Sequence, residues 1–181
     1  MQAFIKWTLD TIRDEGAALS WLEESRFEWT ATIAQALRQI IAGKTVVIVT
    51  DNNREWFAHY IVNSINKTMI ERPMISVVRM ESIYPTYDNA SSNALEMLED
   101  MLSLSYKDEY FFWYIGRGND KASDLPKNHD SSFLWLMDEE YQNAFSMRSY
   151  DPLLDIKMLQ LYRQFDKSLN AVLFGEVNVE E

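Results

Sequence analysis

The turn at residues 51–56 is the first place in this chain where the residue types could do chemistry. It follows a continuous β-branched run, Thr45 to Thr50, which is typical of a strand buried on both faces of a parallel sheet. Parallel sheets bind ligands beyond the carboxyl ends of their strands, and a phosphate there needs glycines that let backbone N–H groups approach it. This turn has no glycine, and Asp51 and Glu55 add negative charge. We therefore interpret Arg54 as a surface arginine near a helix start, and we predict no phosphate site.

The other residues that catalysis or metal binding could use are isolated from one another. Gly116-Arg117-Gly118 precedes no helical stripe, so we interpret it as loop and not as a nucleotide-binding turn. His59 and His129 have no second histidine or carboxylate at metal-ligand spacing, and Asp138-Glu139-Glu140 is typical of a solvated turn. No serine lies in a G-x-S-x-G motif, and the chain has no cysteine. The sequence predicts no catalytic, cofactor-binding or metal-binding residue, and no cofactor.

The composition favours a protein that binds other proteins. With 17 basic and 28 acidic residues the net charge is −11, which repels phosphate backbones and argues against direct nucleic-acid binding. The apolar runs are far shorter than the roughly 18 residues that a membrane span needs. The first twelve residues do not form a secretory signal, so we expect a cytoplasmic protein. Aromatic residues make up 13% of the chain, with six tryptophans, and such side chains are enriched at protein interfaces, although we expect most in the core.

Strands and helices alternate along the chain in the order of consecutive βαβ units. Helical stripes end at natural break points, Gly16 and Gly43. This pattern predicts a three-layer α/β protein, a parallel sheet between helices. Only six residues, 138–143, join the last two strands, so their relative direction stays open. The predicted strands are 45–50, 74–80, 110–115, 133–137 and 144–147, and the helical stripes lie within 5–12, 29–41, 56–65, 94–102 and 152–174.

A single domain over residues 1–181 is expected from the length, since no linker or repeat divides the chain. Residues 116–131 are polar and rich in turn formers, which predicts an exposed, flexible loop. Asp151 and Pro152 predict the start of the last helix, as its cap and its first helical residue. The apolar residues of that helix spread over more than one face, which favours contact with another subunit.

Five short motifs, taken in their order along the chain, resemble those of a known protein family. They are Trp21-Leu22-Glu23, Arg54-x-Trp56-Phe57-x-x-Tyr60-Ile61, Glu71-Arg72-Pro73-x-x-Ser76-Val77, Ser132-Phe133-Leu134-Trp135-Leu136 and Asp155-x-Lys157-x-Leu159-Gln160-Leu161. As a set, within a similarity that runs from about residue 4 to residue 177, they resemble the HobA family, small bacterial proteins that bind the replication initiator DnaA.

That resemblance implies a sugar-isomerase-like (SIS) Rossmann-like fold with five parallel strands, as in the related DnaA-binding protein DiaA. It implies a homotetramer, a dimer of dimers, that holds several DnaA N-terminal domains. Such a scaffold is non-catalytic and promotes initiator assembly at the replication origin. Phosphosugar-binding members of the SIS fold keep a Gly/Ser-rich turn where this chain has Asp51 to Arg54.

The partner-binding residues are predicted from physics and not from the family. Leu173 and Phe174 form an apolar pair at the end of the last helix, where core packing thins out before Gly175. Trp21 and Leu22 are apolar residues outside any regular stripe. The competing interpretation of the first pair is an ordinary helix-end contact. Two rival functions stay open: an SIS-type phosphosugar-binding protein or isomerase, and a structural oligomer with an unrelated protein partner.

Overall fold

A five-stranded parallel sheet in the order β2-β1-β3-β4-β5 forms the centre of the protein. It is seen in a computed structural model that describes residues 2–67 and 72–179. All four neighbouring pairs are parallel, so the predicted sheet is confirmed and the open direction of the last strand is parallel. The strands are β1 (Thr45–Thr50), β2 (Val77–Arg79), β3 (Tyr110–Arg117), β4 (Phe133–Met137) and β5 (Ala144–Met147).

Helices cover both faces of the sheet, which confirms the three-layer α/β architecture. Side chains alternate along β1, so that Val46 and Ile48 enter one core and Val47 and Val49 enter the other. The first core, here called the α8-side core, is bordered by α1 (Gln2–Asp14), α2 (Ser20–Glu24), α3 (Arg26–Ile41), α4 (Glu55–Ile65) and α8 (Leu154–Leu173). The second, the α6-side core, is bordered by α5 (Met80–Ile83), α6 (Ser92–Tyr106) and α7 (Asp124–Asn128).

Aromatic rings fill the α8-side core. The ring of Trp113 lies 4.8 Å from Phe165 of α8 and 5.3 Å from Trp135 of β4, measured between centroids. Trp29 of α3 contacts Phe145 of β5 edge-on at 5.3 Å. All five rings are fully buried, as expected for most of the aromatic residues.

The predicted helix breaks are correct, but the first helical face, expected from Ile5, Leu9 and Ile12, is shifted at its first two positions. Gly16 and Gly43 adopt the left-handed conformation, with φ of +60° and +86°, directly after the helices that they were expected to end. The buried stripe of α1 runs through Phe4, Thr8 and Ile12, four residues apart. Between α1 and α3 the chain forms a short 3₁₀ turn (Gly16–Ala18) and then α2.

The second strand is shorter than predicted, three residues instead of seven. The side chain of Asn66 accepts from the backbone N–H of Ile75 at 2.8 Å and donates to its carbonyl at 2.7 Å. Because that side chain takes the hydrogen bonds of Ile75, ladder pairing begins only at Val77, and Met80 already starts α5. Glu71 of the motif Glu71-Arg72-Pro73 lies outside the described residues.

The prediction of an exposed loop at 116–131 is wrong for most of the segment. Its first two residues extend β3, and its middle forms a 3₁₀ turn followed by α7. Ala122 and Leu125 pack into the α6-side core, because apolar residues hidden among polar neighbours still have a face of the sheet to cover.

The last helix starts two residues later than predicted, at Leu154. Asp151 nonetheless stabilises the start of the helix. Its side-chain Oδ1 accepts from the backbone N–H of Leu153 at 2.8 Å, and its backbone carbonyl accepts from the backbone N–H of Leu154 at 3.0 Å. Pro152 lies in the turn before the helix.

Candidate functional sites

Folds of this kind bind ligands in a crevice at the carboxyl edge of the sheet. The strand order places that crevice between β1 and β3. With β2 on one side of β1 and β3 on the other, the carboxyl ends of β1 and β3 form the topological switch point of the sheet. The last paired residues there are Thr50 and Ile115. Asp51 follows β1 directly, and Gly116 and Arg117 complete β3.

The side chain of Asp51 occupies this crevice. Its Oδ2 accepts from the backbone N–H of Arg117 at 2.8 Å and from Nη1 of Arg54 at 3.0 Å, while Oδ1 lies 3.3 Å from the same nitrogen. Asp51 is 3% exposed and Arg54 6% exposed. The prediction of a surface arginine is therefore wrong: the guanidinium is buried because an equally buried carboxylate neutralises it. An anion entering here would meet a negative charge already in place.

Two glycines let the chain pack closely around this network. A Cβ on Gly116 would lie 2.6 Å from the hydroxyl of Tyr114 and 3.0 Å from the backbone nitrogen of Asp51. A Cβ on Gly118 would lie 2.1 Å from the carboxylate of Glu139. Gly116 and Arg117 are thus part of β3 and not of a loop, and the glycines serve internal packing rather than a bound phosphate.

The remaining polar residues do not form a reaction centre. The Nε2 atom of His59 lies 2.7 Å from Nη1 of Arg79 and 3.6 Å from the carboxylate of Glu55 on an exposed face. His129 is packed against the rings of Tyr110 and Phe112, at 5.0 Å from each, and this burial lowers the pKa of His129. Within residues 2–67 and 72–179, no three histidine or acidic side chains gather as a metal site would require.

The acidic run at residues 138–140 is only partly a solvated turn. Asp138 accepts from the backbone N–H of Ser149 at 2.8 Å. Hydrogen bonding from the Ser149 side chain, and then from its backbone, lowers the pKa of Asp138. Glu139 is paired with Nζ of Lys127 at 2.7 Å. Both carboxylates thus hold neighbouring segments together.

The four predicted partner-binding residues lie in three different environments. Phe174 is 56% exposed at the end of α8, and Leu173 beside it is half-buried. Trp21 is half-buried in α2, and its Nε1 donates to Oε1 of Gln160 at 2.9 Å. Leu22 is fully buried in the α8-side core, so it offers no surface to a partner and is withdrawn. Leu173 lies thirteen positions after Gln160 in α8, which is about 20 Å along the helix axis. Trp21 and Phe174 therefore mark separate surfaces.

Two surface grooves border α8 near Trp21. The α4/α8 groove, of about 450 Å³, has mainly apolar walls that include Tyr60 and Ile156, which are 39% and 53% exposed. The α2/β5 groove, of about 640 Å³, is bordered by Trp21 and Lys157, whose ammonium group lies 4.9 Å from the indole centroid. The first groove was not predicted, although the aromatic residues of α4 occupy more than one helical face.

A further apolar surface lies on α6, on the opposite face of the sheet. Only Leu98 and Leu102 of α6 are buried, whereas Met97, Met101 and Leu104 are 72%, 41% and 83% exposed. The apolar face expected from Ala94, Met97, Leu98, Met101 and Leu102 is thus buried at its leucines and exposed at its methionines. In the part of the chain that the structure describes, no helix combines the length and apolarity that crossing a bilayer requires.

Comparison with known proteins gives one consistent result. Residues 1–179 match the model of the family described as HobA, DNA replication regulator. The DNA replication regulator protein HobA of Helicobacter pylori is 31% identical over 188 aligned positions, which cover 99% of this chain and all of that protein. A chain in the crystal structure of a HobA–DnaA (domain I–II) complex from H. pylori superposes with a TM-score of 0.76 at 28% identity, covering 98% of this chain and 99% of that one. A crystal structure of H. pylori HobA gives a TM-score of 0.71 at 27% identity, covering 97% and 98%.

Proposed function

Because this chain belongs to the HobA family of DNA replication regulators, we propose that it regulates replication by binding the N-terminal part of DnaA. The observation that carries this proposal is the end-to-end likeness to a HobA chain crystallised with DnaA (domain I–II). The match runs from end to end of both chains, since it covers 98% of one and 99% of the other. DnaA acts on the chromosome, so the expected place of action is the bacterial cytoplasm.

The proposed action is non-catalytic. The crevice at the switch point, where an enzyme of this architecture would hold its substrate, is filled by the Asp51 carboxylate and its partners Arg54 and Arg117. Of the two described histidines, His59 is exposed beside an arginine and His129 is packed against the rings of Tyr110 and Phe112. What the surface offers instead is apolar area, which suits protein contacts.

The proposed scaffold is a homotetramer of single-domain subunits that promotes assembly of DnaA at the replication origin. The α4/α8 groove and the α6 surface lie on opposite faces of the sheet, so each subunit presents two separate apolar surfaces. Two different self-contacts are what a dimer of dimers needs. Several DnaA sites on one rigid assembly would raise the effective concentration of DnaA without any new contact chemistry.

The proposed DnaA contact centres on Phe174 and Leu173, with Trp21 as a second contact. Phe174 combines a large apolar side chain with 56% exposure; Leu173 precedes it, and Gly175 and Glu176 follow it. An aromatic anchor with a polar rim is what a small interface requires. Trp21 already has an internal hydrogen-bond partner, so it would contribute its ring face rather than its N–H.

Isothermal titration of the full chain with the N-terminal domain of DnaA from the same organism tests this proposal. We expect saturable binding, and co-elution of the two proteins at tens of micromolar. DnaA from which the N-terminal domain has been removed serves as the control and should give no heat. Absence of binding to the N-terminal domain, or equal binding to the truncated DnaA, would refute the proposal.

A further inference from the structure

The Asp51 carboxylate makes the contacts that a bound anion makes in a binding site. One oxygen accepts a backbone N–H, from Arg117 at 2.8 Å, and a guanidinium group lies 3.0 Å from that oxygen and 3.3 Å from the other. A main-chain amide together with an arginine is a recurrent arrangement for oxyanions. The site lies at the sheet's topological switch point, and its carboxylate comes from the chain itself.

Three features hold the donors in place independently of Asp51. Arg117 ends β3 and is in register with Met137 of β4, so its N–H direction is set by the sheet. The hydroxyl of Tyr114 donates to the carbonyl of Arg117 at 2.8 Å, which fixes the residue from the other side. Gly116 has no Cβ, and only for that reason can the strand approach the backbone of Asp51 so closely.

We propose that Asp51 is a built-in ligand: the switch point is a binding site for a small carboxylate, and the side chain of Asp51 permanently occupies it. Removal of that side chain would leave a preformed, buried pocket with two donors and the positive charge of Arg54. Formate has the size of the carboxylate that is lost in Asp51→Ala, so formate should bind there. This inference is independent of DnaA binding.

An ordinary ion pair at the protein surface would not leave an enclosed binding site when its carboxylate is removed. Asp151 illustrates this case, because it also accepts a backbone N–H, from Leu153 at 2.8 Å, and pairs with Lys157 at 2.5 Å. Its side chain and that of Lys157 are each 24% exposed, so water can replace the carboxylate. Asp151→Ala is therefore the matched control, because it also removes a carboxylate from a backbone N–H and a basic side chain, but at a site without the enclosure.

The test measures thermal unfolding of the full chain in sodium formate and in sodium chloride of equal concentration. Asp51→Ala should lower Tm by about 6–20 °C, as expected for a broken buried pair in a chain of this size. Formate at about ten times its Kd should restore about 3–6 °C of that loss relative to chloride. Butyrate, which is too large for the vacated space, should restore nothing.

Three proteins should not respond to formate: the unsubstituted chain, Asp151→Ala, and the double variant Asp51→Ala/Arg54→Ala. A formate effect on Asp51→Ala no larger than that of chloride, or one equally large in Asp151→Ala, overturns the proposal. The unsubstituted chain supplies a second test, which does not depend on the variant folding. The Arg117 amide should exchange slowly with solvent, and its NMR signal should not move in formate or inorganic phosphate. Fast exchange, or a shift that saturates with either anion, would also overturn the proposal.

Discussion

Replacing Phe174 by alanine should weaken DnaA binding without disturbing the fold. A phenylalanine side chain buries roughly 200 Å² in full contact, and 56% of Phe174 is exposed, which leaves about 110 Å² for a partner. At about 25 cal/mol per Å², complete coverage is worth about 2.8 kcal/mol and half coverage about 1.4 kcal/mol. The expected rise in Kd is therefore about 10- to 100-fold.

Isothermal titration with the DnaA N-terminal domain measures this effect, and urea unfolding checks the fold. The free energy of unfolding should change by less than about 1 kcal/mol, since the ring is mostly in solvent. Tyr150→Ala is the control, because Tyr150 is 72% exposed but precedes α8, about 29 Å from Phe174 along the helix axis. An unchanged Kd for Phe174→Ala, or an equal loss for Tyr150→Ala, would remove Phe174 from the proposed site.

Three further predictions concern stability and assembly. Gly116→Ala should lower the free energy of unfolding by about 1–3 kcal/mol, because the new Cβ meets the Tyr114 hydroxyl and the Asp51 backbone; a neutral effect in urea unfolding would contradict the close packing. The hydrogen bond from Lys167 lowers the pKa of Glu15 from its ordinary 4.5, so the pair stabilises the fold above that pH and ceases to do so as the pH falls through the lowered pKa. The unsubstituted chain and Glu15→Gln should therefore differ in stability at about pH 7 and converge at about pH 2.5; a constant difference would refute this. Light scattering at micromolar concentration should give about four times the chain mass of 21.3 kDa, and a monomer mass would refute the tetramer.

The sheet could be predicted because each of its central strands carries a local signal. Thr45 to Thr50 is β-branched throughout and Phe133 to Met137 is apolar throughout, which is typical of strands covered on both faces, and both are correct to the residue. The edge strand β2 was predicted too long, because the Asn66 side chain that replaces its ladder bonds is nine residues away in sequence. The pattern of residues within the strand itself gives no indication of that contact.

The closed crevice could be predicted only in part. The absence of glycine from the turn after β1 can be read from the sequence, whereas the burial of Arg54 cannot. That burial depends on Asp51 reaching the backbone of Arg117, 66 residues later. Leu22 was misassigned for a related reason: α2 has only five residues, too few for a stripe to show which side faces the core. Contacts between distant segments, unlike strand patterns, leave no mark on the neighbouring sequence.

The aromatic α8-side core has an optical consequence. All six tryptophans lie on the same side of the sheet as α8, and none lies in the α6-side core. They are Trp7, Trp21, Trp29, Trp56, Trp113 and Trp135. Their fluorescence therefore reports on one layer alone, while the opposite layer, which contains Tyr110 and Tyr114, emits only as tyrosine. Loosening of α6 would leave the tryptophan spectrum unchanged, so the α8-side layer can be followed by itself with no label added.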